Sequence, residues 1–148
     1  MRKLKFPYRL QLREEGEIIP LPLVPARFFS NKESVEFLLL LDSGAEISLL
    51  TKEDAELLGI NLEKGERVKL RGIGGSIDGF KHLVKMVIGE IKLKAPAVFA
   101  NVDSRVLGRE EVFDKFFILF DEEVKQTIFI RRNLESQKEL KKIFNNGS

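Results

Sequence analysis

Apolar side chains alternate with polar ones along most of the chain, and glycine-containing turns separate the alternating runs. A period of two places successive side chains on opposite faces of a strand, so the pattern predicts a β-rich domain. The run at residues 35–41 ends in four consecutive leucines, which predicts a central strand that is buried on both faces. Alternating runs at residues 84–93 and 116–130 are each interrupted by a short polar turn and predict two β-hairpins.

Helical spacing is confined to short segments. Thr51, followed three residues later by Asp54, resembles an N-terminal cap, and Gly59 is placed to end the short helix that this cap begins. Residues 110–115 are predicted to form a second short helix.

The C-terminal segment has a pattern of its own. Residues 134–145 place apolar side chains at helical spacing among charged ones, which predicts a helix beyond the β-rich part. The length of 148 residues is that of one domain. We therefore expect a β domain at residues 1–130 and, at residues 131–148, a helical extension whose last residues fray.

The composition restricts the possible chemistry. Hydrophobic residues make up 43% of the chain and charged residues 32%, which is typical of a globular protein. There is no cysteine, so disulfides, thiol nucleophiles and thiolate metal sites are excluded. His82 is the one histidine, and no G-x-S-x-G motif provides it with a nucleophilic serine, so we expect it to be structural or solvated rather than catalytic. Any hydrolytic chemistry must therefore use carboxylates.

The net charge of +2 is unevenly distributed. Residues 1–13 carry five basic groups and no acid, and residues 131–148 carry five basic and two acidic groups. These basic ends suggest nucleic acid as one interpretation, but no set of stacking aromatic residues accompanies them, which favours solvated termini and argues against a nucleic-acid partner. The longest purely apolar stretches, such as residues 37–41, are far shorter than the roughly 20 residues that span a bilayer. We expect a cytoplasmic protein without a membrane partner.

The apolar run at residues 35–41 leads directly into Asp42-Ser43-Gly44. A carboxylate at the end of a buried strand is placed for acid–base chemistry, and Gly44 allows another chain to approach closely. The same three residues are also ordinary turn residues after a strand. The motif alone therefore identifies no function.

A glycine-rich tip follows further along the chain. Within residues 68–77, apolar and polar side chains alternate on both sides of Gly72-Ile73-Gly74-Gly75, which predicts a mobile β-hairpin. It is not a dinucleotide-binding loop, because Ile77 stands where G-x-G-x-x-G requires its third glycine.

A third segment, Val106-Leu107-Gly108-Arg109, follows Asp42 by about sixty residues. A buried arginine requires a carboxylate partner, and Glu46 is the candidate partner of Arg109. An exposed, unpaired Arg109 is the alternative.

In this order and spacing, the three segments resemble those of the retropepsin family of aspartic peptidases. The active-site loop D-[ST]-G-A matches Asp42-Ser43-Gly44-Ala45, the flap matches residues 72–75, and the apolar-apolar-Gly-Arg segment matches residues 106–109. The resemblance covers roughly residues 17–130 and is greatest to the cellular, prokaryote-like single-domain members. It implies a mainly β, retropepsin-like closed barrel with short helices, to which the C-terminal helix is added.

The resemblance also implies a mechanism. Family members use two carboxylates that share a proton, because like charges about 3 Å apart cannot both ionise. This chain has one D-S-G motif, so the second carboxylate would come from a second copy, with Asp42 of each subunit near a two-fold axis. The implied partners are a second copy and an extended polypeptide substrate. No metal and no organic cofactor is implied.

The resemblance assigns further roles around Asp42. Ser43 would brace the paired loops across the axis, and Gly44 would offer its backbone to the substrate. Ile73, at the flap tip between Gly72 and Gly74, would close over the peptide. The implied pocket walls are Ala45, Ile77 and Val106, and the implied supporting ion pair is Glu46 with Arg109.

Two other hypotheses remain open. A non-catalytic peptide-binding or scaffold domain would keep the same fold without turnover, although the intact D-S-G motif argues against it. A nucleic-acid-associated protein would use the basic ends of the chain.

Overall fold

The computed structural model of the chain describes residues 1–31, 33–72 and 74–146. Within these residues the protein is mainly β, as predicted, and has two α-helices and a short 3₁₀ helix at Leu62–Lys64. The strands and helices are β1 (Lys3–Pro7), β2 (Arg9–Leu12), β3 (Ile18–Leu21), β4 (Leu23–Phe29), β5 (Ser34–Leu41), β6 (Ser48–Thr51), α1 (Lys52–Leu57), β7 (Glu66–Gly72), β8 (Gly75–Ile88), β9 (Ile91–Ala100), β10 (Val106–Leu107), β11 (Phe116–Asp121), β12 (Gln126–Arg131) and α2 (Leu134–Asn145).

The chain forms two compact units. The first consists of Met1–Pro22 and Phe113–Ser148, and the second is Leu23–Val112. This division differs from the expected boundary at residue 130, because β1 pairs with β12 and so joins the two ends of the chain in the first unit. The second unit contains the D-S-G, glycine-rich and Gly-Arg segments.

The second unit is built on one sheet with the strand order β4-β5-β10-β6-β9-β8-β7. Because β4 pairs with β8 as well as with β5, the sheet returns on itself. The short strand β10 lies between β5 and β6 and runs parallel to β5. It therefore brings the Gly-Arg segment beside the strand that precedes Asp42.

The alternation along β5 decides which face covers the core. Phe37, Leu39 and Leu41 are at most 4% exposed, and the ring of Phe37 packs 5.7 Å from that of Phe28. The opposite face is more open than four leucines predict, since Leu38 is 37% exposed. The expectation of a strand buried on both faces is therefore wrong: β5 is central in hydrogen bonding, but its second face is only partly buried, with Leu38 exposed and Leu40 half-buried.

All three alternating segments form hairpins, as predicted. Strands β7 and β8 pair up to Gly72 and Gly75, β8 and β9 pair up to Ile88 and Ile91, and β11 pairs with β12. The turn between β8 and β9 uses Gly89 with a φ of 60°, a conformation that glycine adopts without steric cost.

Helix α1 confirms the cap expected from the sequence. The side chain of Thr51 accepts a hydrogen bond from the Asp54 amide, and the Asp54 carboxylate accepts one from the Thr51 amide, which is a complete capping box. The second short helix, expected at residues 110–115, is wrong, since turns occupy this segment. Glu111 has a φ of 67°, outside the helical region, and six residues without a cap are too few to nucleate a helix.

The first unit contains the three-stranded sheet β1-β12-β11, the hairpin β2-β3 and helix α2. Phe129 of β12 packs edge-on against Phe6 and Phe116, with ring centroids 5.2 Å apart in both cases. The C-terminal helix forms where it was predicted, and Asn133 caps it. In the described part of the chain no helix has the length and apolar character needed to cross a bilayer.

Candidate active site

The backbone of β10 and the residue before it hold the end of β5. The amide of Leu40 donates to the carbonyl of Arg105 at 2.9 Å, and the amide of Asp42 donates to the carbonyl of Leu107 at 3.1 Å. These parallel hydrogen bonds continue past the last residue of β5. The position of Asp42 is therefore fixed by the sheet rather than by a free loop.

A tight turn orients the Asp42 carboxylate. Its Oδ1 accepts a hydrogen bond from the Gly44 amide at 2.8 Å, and its carbonyl oxygen accepts one from the Ala45 amide at 3.2 Å. A Cβ at Gly44 would lie 3.2 Å from Oδ1, so the absence of a side chain there gives the carboxylate its close approach to the backbone. Within the described residues Oδ2 has no hydrogen-bond partner and is left available for chemistry.

The turn lies at the surface of the single chain. Asp42 and Ala45 are half-buried, while Ser43, Gly44 and Glu46 are exposed. The hydroxyl of Ser43 makes no hydrogen bond with any of the residues that the structure describes. The loop predicted to meet a second copy is thus accessible to one.

Gly108 packs directly on the chain that follows this turn. Its amide donates to Ser48 Oγ at 3.0 Å, and a Cβ at this position would lie 2.5 Å from the carbonyl carbon of Ile47. The two backbones approach so closely that only glycine fits. Sequence reasoning identified Gly108 but missed the buried Ser48, whose place in an alternating run gave no signal.

The two segments that were expected to form an ion pair are joined by their backbones instead. The Arg109 amide donates to the Ala45 carbonyl at 2.9 Å, and the Glu110 amide donates to the Glu46 carbonyl at 2.8 Å. Across residues 1–31, 33–72 and 74–146 no ion pair links the side chains of Glu46 and Arg109, and both are exposed. The two side chains are therefore not paired within the single chain, and their ion pair in a dimer stays a prediction.

The buried ion pair of this region is a different one. Arg105 donates from Nε and Nη2 to the two carboxylate oxygens of Asp54 at 2.8 and 2.9 Å. Asp54 is 0% exposed, and the Arg105 guanidinium also lies 4.7 Å from the centre of the Phe37 ring. The Asp54 hydrogen bond is the main cause that raises the pKa of Arg105 above its usual value.

This pair connects the first turn of α1 to the residue before β10. The sequence identified Asp54 as part of a cap, and Arg105 directly precedes the Val106-Leu107-Gly108-Arg109 segment. Nothing in their 51-residue separation indicated that they meet. The pair therefore belongs to the site's supporting structure and was missed.

The glycine-rich hairpin is formed by β7 and β8, with Gly72 aligned with Gly75. Gly72 and Gly74 are exposed, and a Cβ at either would meet no atom within 4 Å. Ile73, the predicted tip, lies outside the described residues. Ile77 is 39% exposed on β8.

Val106 is half-buried on β10 and aligns with Leu40, two residues before Asp42. Of the predicted pocket walls, Ala45 and Val106 are thus brought to the end of β5 by the sheet. Ile77 belongs to the glycine-rich hairpin.

His82 has a structural environment. Its Nε2 lies 3.1 Å from the carbonyl oxygen of Leu62, and its ring packs edge-on against Phe99. Among the described residues no group of three His, Cys, Asp or Glu side chains is arranged to hold a metal ion.

Comparison with known proteins agrees with this geometry. A family model described as aspartyl protease matches residues 24–114, which is more than half of the chain and nearly coincides with the second unit. The fold is similar to the crystal structure of a retropepsin-like aspartic protease from Rickettsia conorii, with a TM-score of 0.60 and 22% sequence identity over 86% of this chain and 98% of that one. No curated protein sequence gives a significant match. The chain therefore belongs to the aspartyl protease family and has a retropepsin-like fold.

Proposed function

We propose that the protein is a homodimeric aspartic endopeptidase in which Asp42 of two copies forms the catalytic pair. The observation that carries this proposal is the Asp42 turn. One carboxylate oxygen is held by the Gly44 amide, and the other has no partner among the described residues. A single chain supplies one such turn, whereas the family's chemistry needs two.

In the proposed mechanism the two carboxylates share one proton. The ionised carboxylate accepts a proton from a water molecule, whose oxygen attacks the peptide carbonyl carbon, while the protonated carboxyl donates its proton to the carbonyl oxygen. Collapse of the tetrahedral intermediate breaks the C–N bond, and the amine leaves with a proton from the pair. The exposed Ser43 hydroxyl would hydrogen-bond across the two-fold axis, and the Gly44 backbone would contact the substrate.

The hairpin of β7 and β8 would act as the flap. A Cβ at Gly72 or Gly74 would meet no atom within 4 Å, so no described group packs against these glycines, and Ile73 between them would cover the peptide. An extended substrate would then add strand-like hydrogen bonds, with its side chains against Ala45, Ile77 and Val106. The exposed face of β5, which includes Leu38, supports an apolar contact beyond the single chain.

The test compares the wild-type chain with Asp42→Asn and with Asp103→Asn as the matched control. Asp103 is an exposed aspartate without a following Ser-Gly, so its substitution removes the same charge from the surface. Each protein is incubated with a random peptide library, with and without a statine-type inhibitor, and its oligomeric state is measured by analytical ultracentrifugation. We expect wild type and Asp103→Asn to cleave peptides in an inhibitor-sensitive way, and Asp42→Asn to form the same dimer without cleavage.

A mixing experiment tests whether the site is shared. Equal amounts of wild-type and Asp42→Asn subunits, allowed to exchange, should reduce the activity per wild-type chain to about one half, because random pairing puts half of the wild-type chains into inactive dimers. Cleavage by purified Asp42→Asn would refute the catalytic assignment. Undiminished activity after exchange would refute the shared pair, and absence of cleavage by the wild-type dimer would favour the non-catalytic peptide-binding domain.

A further inference from the structure

The outer face of strands β4, β8 and β9 carries a group of cations. The strand register aligns Lys85 of β8 directly with Lys94 of β9, and Lys92 lies two residues along β9 on the same face. Val87 of β8 aligns with Arg27 of β4 on one side and with Lys92 of β9 on the other, so the three residues form one row across the sheet. All of the cations are exposed. We call this set the basic face, and it consists of Arg27, Lys85, Lys92 and Lys94.

The charges of the basic face repel one another. Directly opposite side chains on antiparallel strands have Cβ atoms about 5 Å apart, and like charges at such positions are destabilising. Among residues 1–31, 33–72 and 74–146, no acid forms an ion pair with Lys85, Lys92 or Lys94. Glu36 of β5 aligns with Arg27, on the side of β4 that is away from the lysines. The three lysines are thus held together without an ion-pair partner among these residues, and such a surface is complementary to an anionic partner.

The basic face is also concave. A cleft of about 620 Å³ lies over it and is lined by its three lysines together with Phe29 and Val87. A neighbouring cleft of about 750 Å³ shares Phe29, Lys85 and Lys94 and continues to Leu57 and Leu83. These two leucines are 57% and 61% exposed. Cationic and apolar groups are therefore continuous along one groove.

We propose that the basic face binds an acidic, extended segment of another polypeptide, whose apolar side chains enter the neighbouring cleft. In an extended chain alternate side chains are about 7 Å apart, which is the spacing of Lys92 and Lys94 along their own strand. Glu33 and Glu56 line the neighbouring cleft and would repel acidic side chains there. We therefore expect the acidic side chains of the bound segment to lie over the lysines.

A polypeptide fits this surface better than a nucleic acid does. The ring side chains that line the two clefts, among the described residues, are Phe29 and His82, and the His82 ring is held by the Leu62 carbonyl and by Phe99, whereas single-stranded nucleic acids are held by successive free stacking aromatics. The aliphatic side chains of the groove would find no apolar group to contact on a phosphate backbone. The inference does not depend on the chemistry of Asp42.

The test measures binding by fluorescence anisotropy with the full chain carrying Asp42→Asn, so that no probe is cleaved. The probe is a labelled nonapeptide in which three glutamates alternate with serines and are followed by Leu-Leu-Phe. One control peptide has glutamine in place of each glutamate, and a second control is a labelled oligothymidine. The test variant is Lys85→Gln/Lys92→Gln/Lys94→Gln. The matched control removes three exposed lysines from α2, Lys138→Gln/Lys141→Gln/Lys142→Gln, with the same change in net charge.

We expect the acidic peptide to bind the parent and the α2 control equally, and to bind the test variant at least about tenfold more weakly. Binding of the parent should weaken with added salt, since the contacts are between exposed charges. Replacing the same lysines by glutamate should transfer the preference to a peptide with lysine in place of each glutamate. If both triple variants lost the same binding affinity, net charge alone would explain the loss, and the proposal would be overturned. Tighter binding of oligothymidine than of the acidic peptide, or no binding by the parent at millimolar concentration, would also overturn it.

Discussion

Replacing Arg105 by leucine should destabilise the protein more than the change Asp54→Asn in its partner. The substitution leaves a carboxylate that is 0% exposed with one backbone donor, the Thr51 amide. Removing one member of a buried pair costs about 3–5 kcal/mol, and the 37% exposure of the Arg105 side chain places this site near the lower end, at about 3 kcal/mol. Loss of the contact with the Phe37 ring adds about 0.5–1 kcal/mol.

Asp54→Asn is expected to cost less, about 1–2 kcal/mol, because the partly exposed guanidinium can be hydrated while the asparagine oxygen still accepts from Thr51. The double variant Asp54→Asn/Arg105→Leu should be more stable than Arg105→Leu alone, since it no longer buries an unpaired charge. This order of stabilities follows from the unequal exposure of the two partners.

The measurement is urea unfolding followed by circular dichroism, at one protein concentration because dimerisation would make stability concentration-dependent. A loss of about 3 kcal/mol corresponds to a fall in Tm of about 10 °C for a chain of this size. The reasoning would be refuted if Arg105→Leu lost less than about 1 kcal/mol, or if Asp54→Asn were the more damaging change.

Two further predictions concern packing and pH. Gly108→Ala should lower the free energy of unfolding by at least about 2 kcal/mol, because its Cβ would lie 2.5 Å from a backbone atom of Ile47. The control Gly74→Ala, with open space around the added Cβ, should leave the midpoint of urea unfolding unchanged. Equal effects of the two substitutions would contradict this reasoning. Burial and the hydrogen bond to Glu122 raise the pKa of Tyr8 to about 12. The folded state therefore holds this proton more tightly than the unfolded chain does, so the contribution of Tyr8 to stability is constant below pH about 10 and is lost between about 10 and 12. Tyr8→Phe should cost about 1 kcal/mol at neutral pH and remove that alkaline slope, and an unchanged slope in urea titrations at pH 9–12 would count against the interaction.

Local features of the candidate site were readable in the sequence because their causes are local. The Thr51–Asp54 cap involves residues three apart, and the glycine-rich hairpin follows from alternation on both sides of its tip. The proposal that Asp42 is catalytic depends on three segments in a fixed order, each of which is weak alone. The retropepsin-like fold predicted from that order is confirmed.

Where local signals were weak, the prediction failed. Residues 110–115 have a helix-compatible composition, but Glu111 adopts a left-handed conformation and the segment forms turns. The four leucines of β5 predicted burial on both faces, yet Leu38 remains 37% exposed, because hydropathy does not record whether a covering layer exists.

The sequence by itself thus determined the Asp42-Ser43-Gly44 turn, the hairpins and the β class of this protein, since periodicity, turn residues and capping act over a few positions. Only the tertiary structure decided which distant groups meet. It paired Arg105 with Asp54, and it aligned Lys85 with Lys94. Contacts of this kind depend on strand order and register, and these are set by the packing of the whole sheet rather than by any one segment.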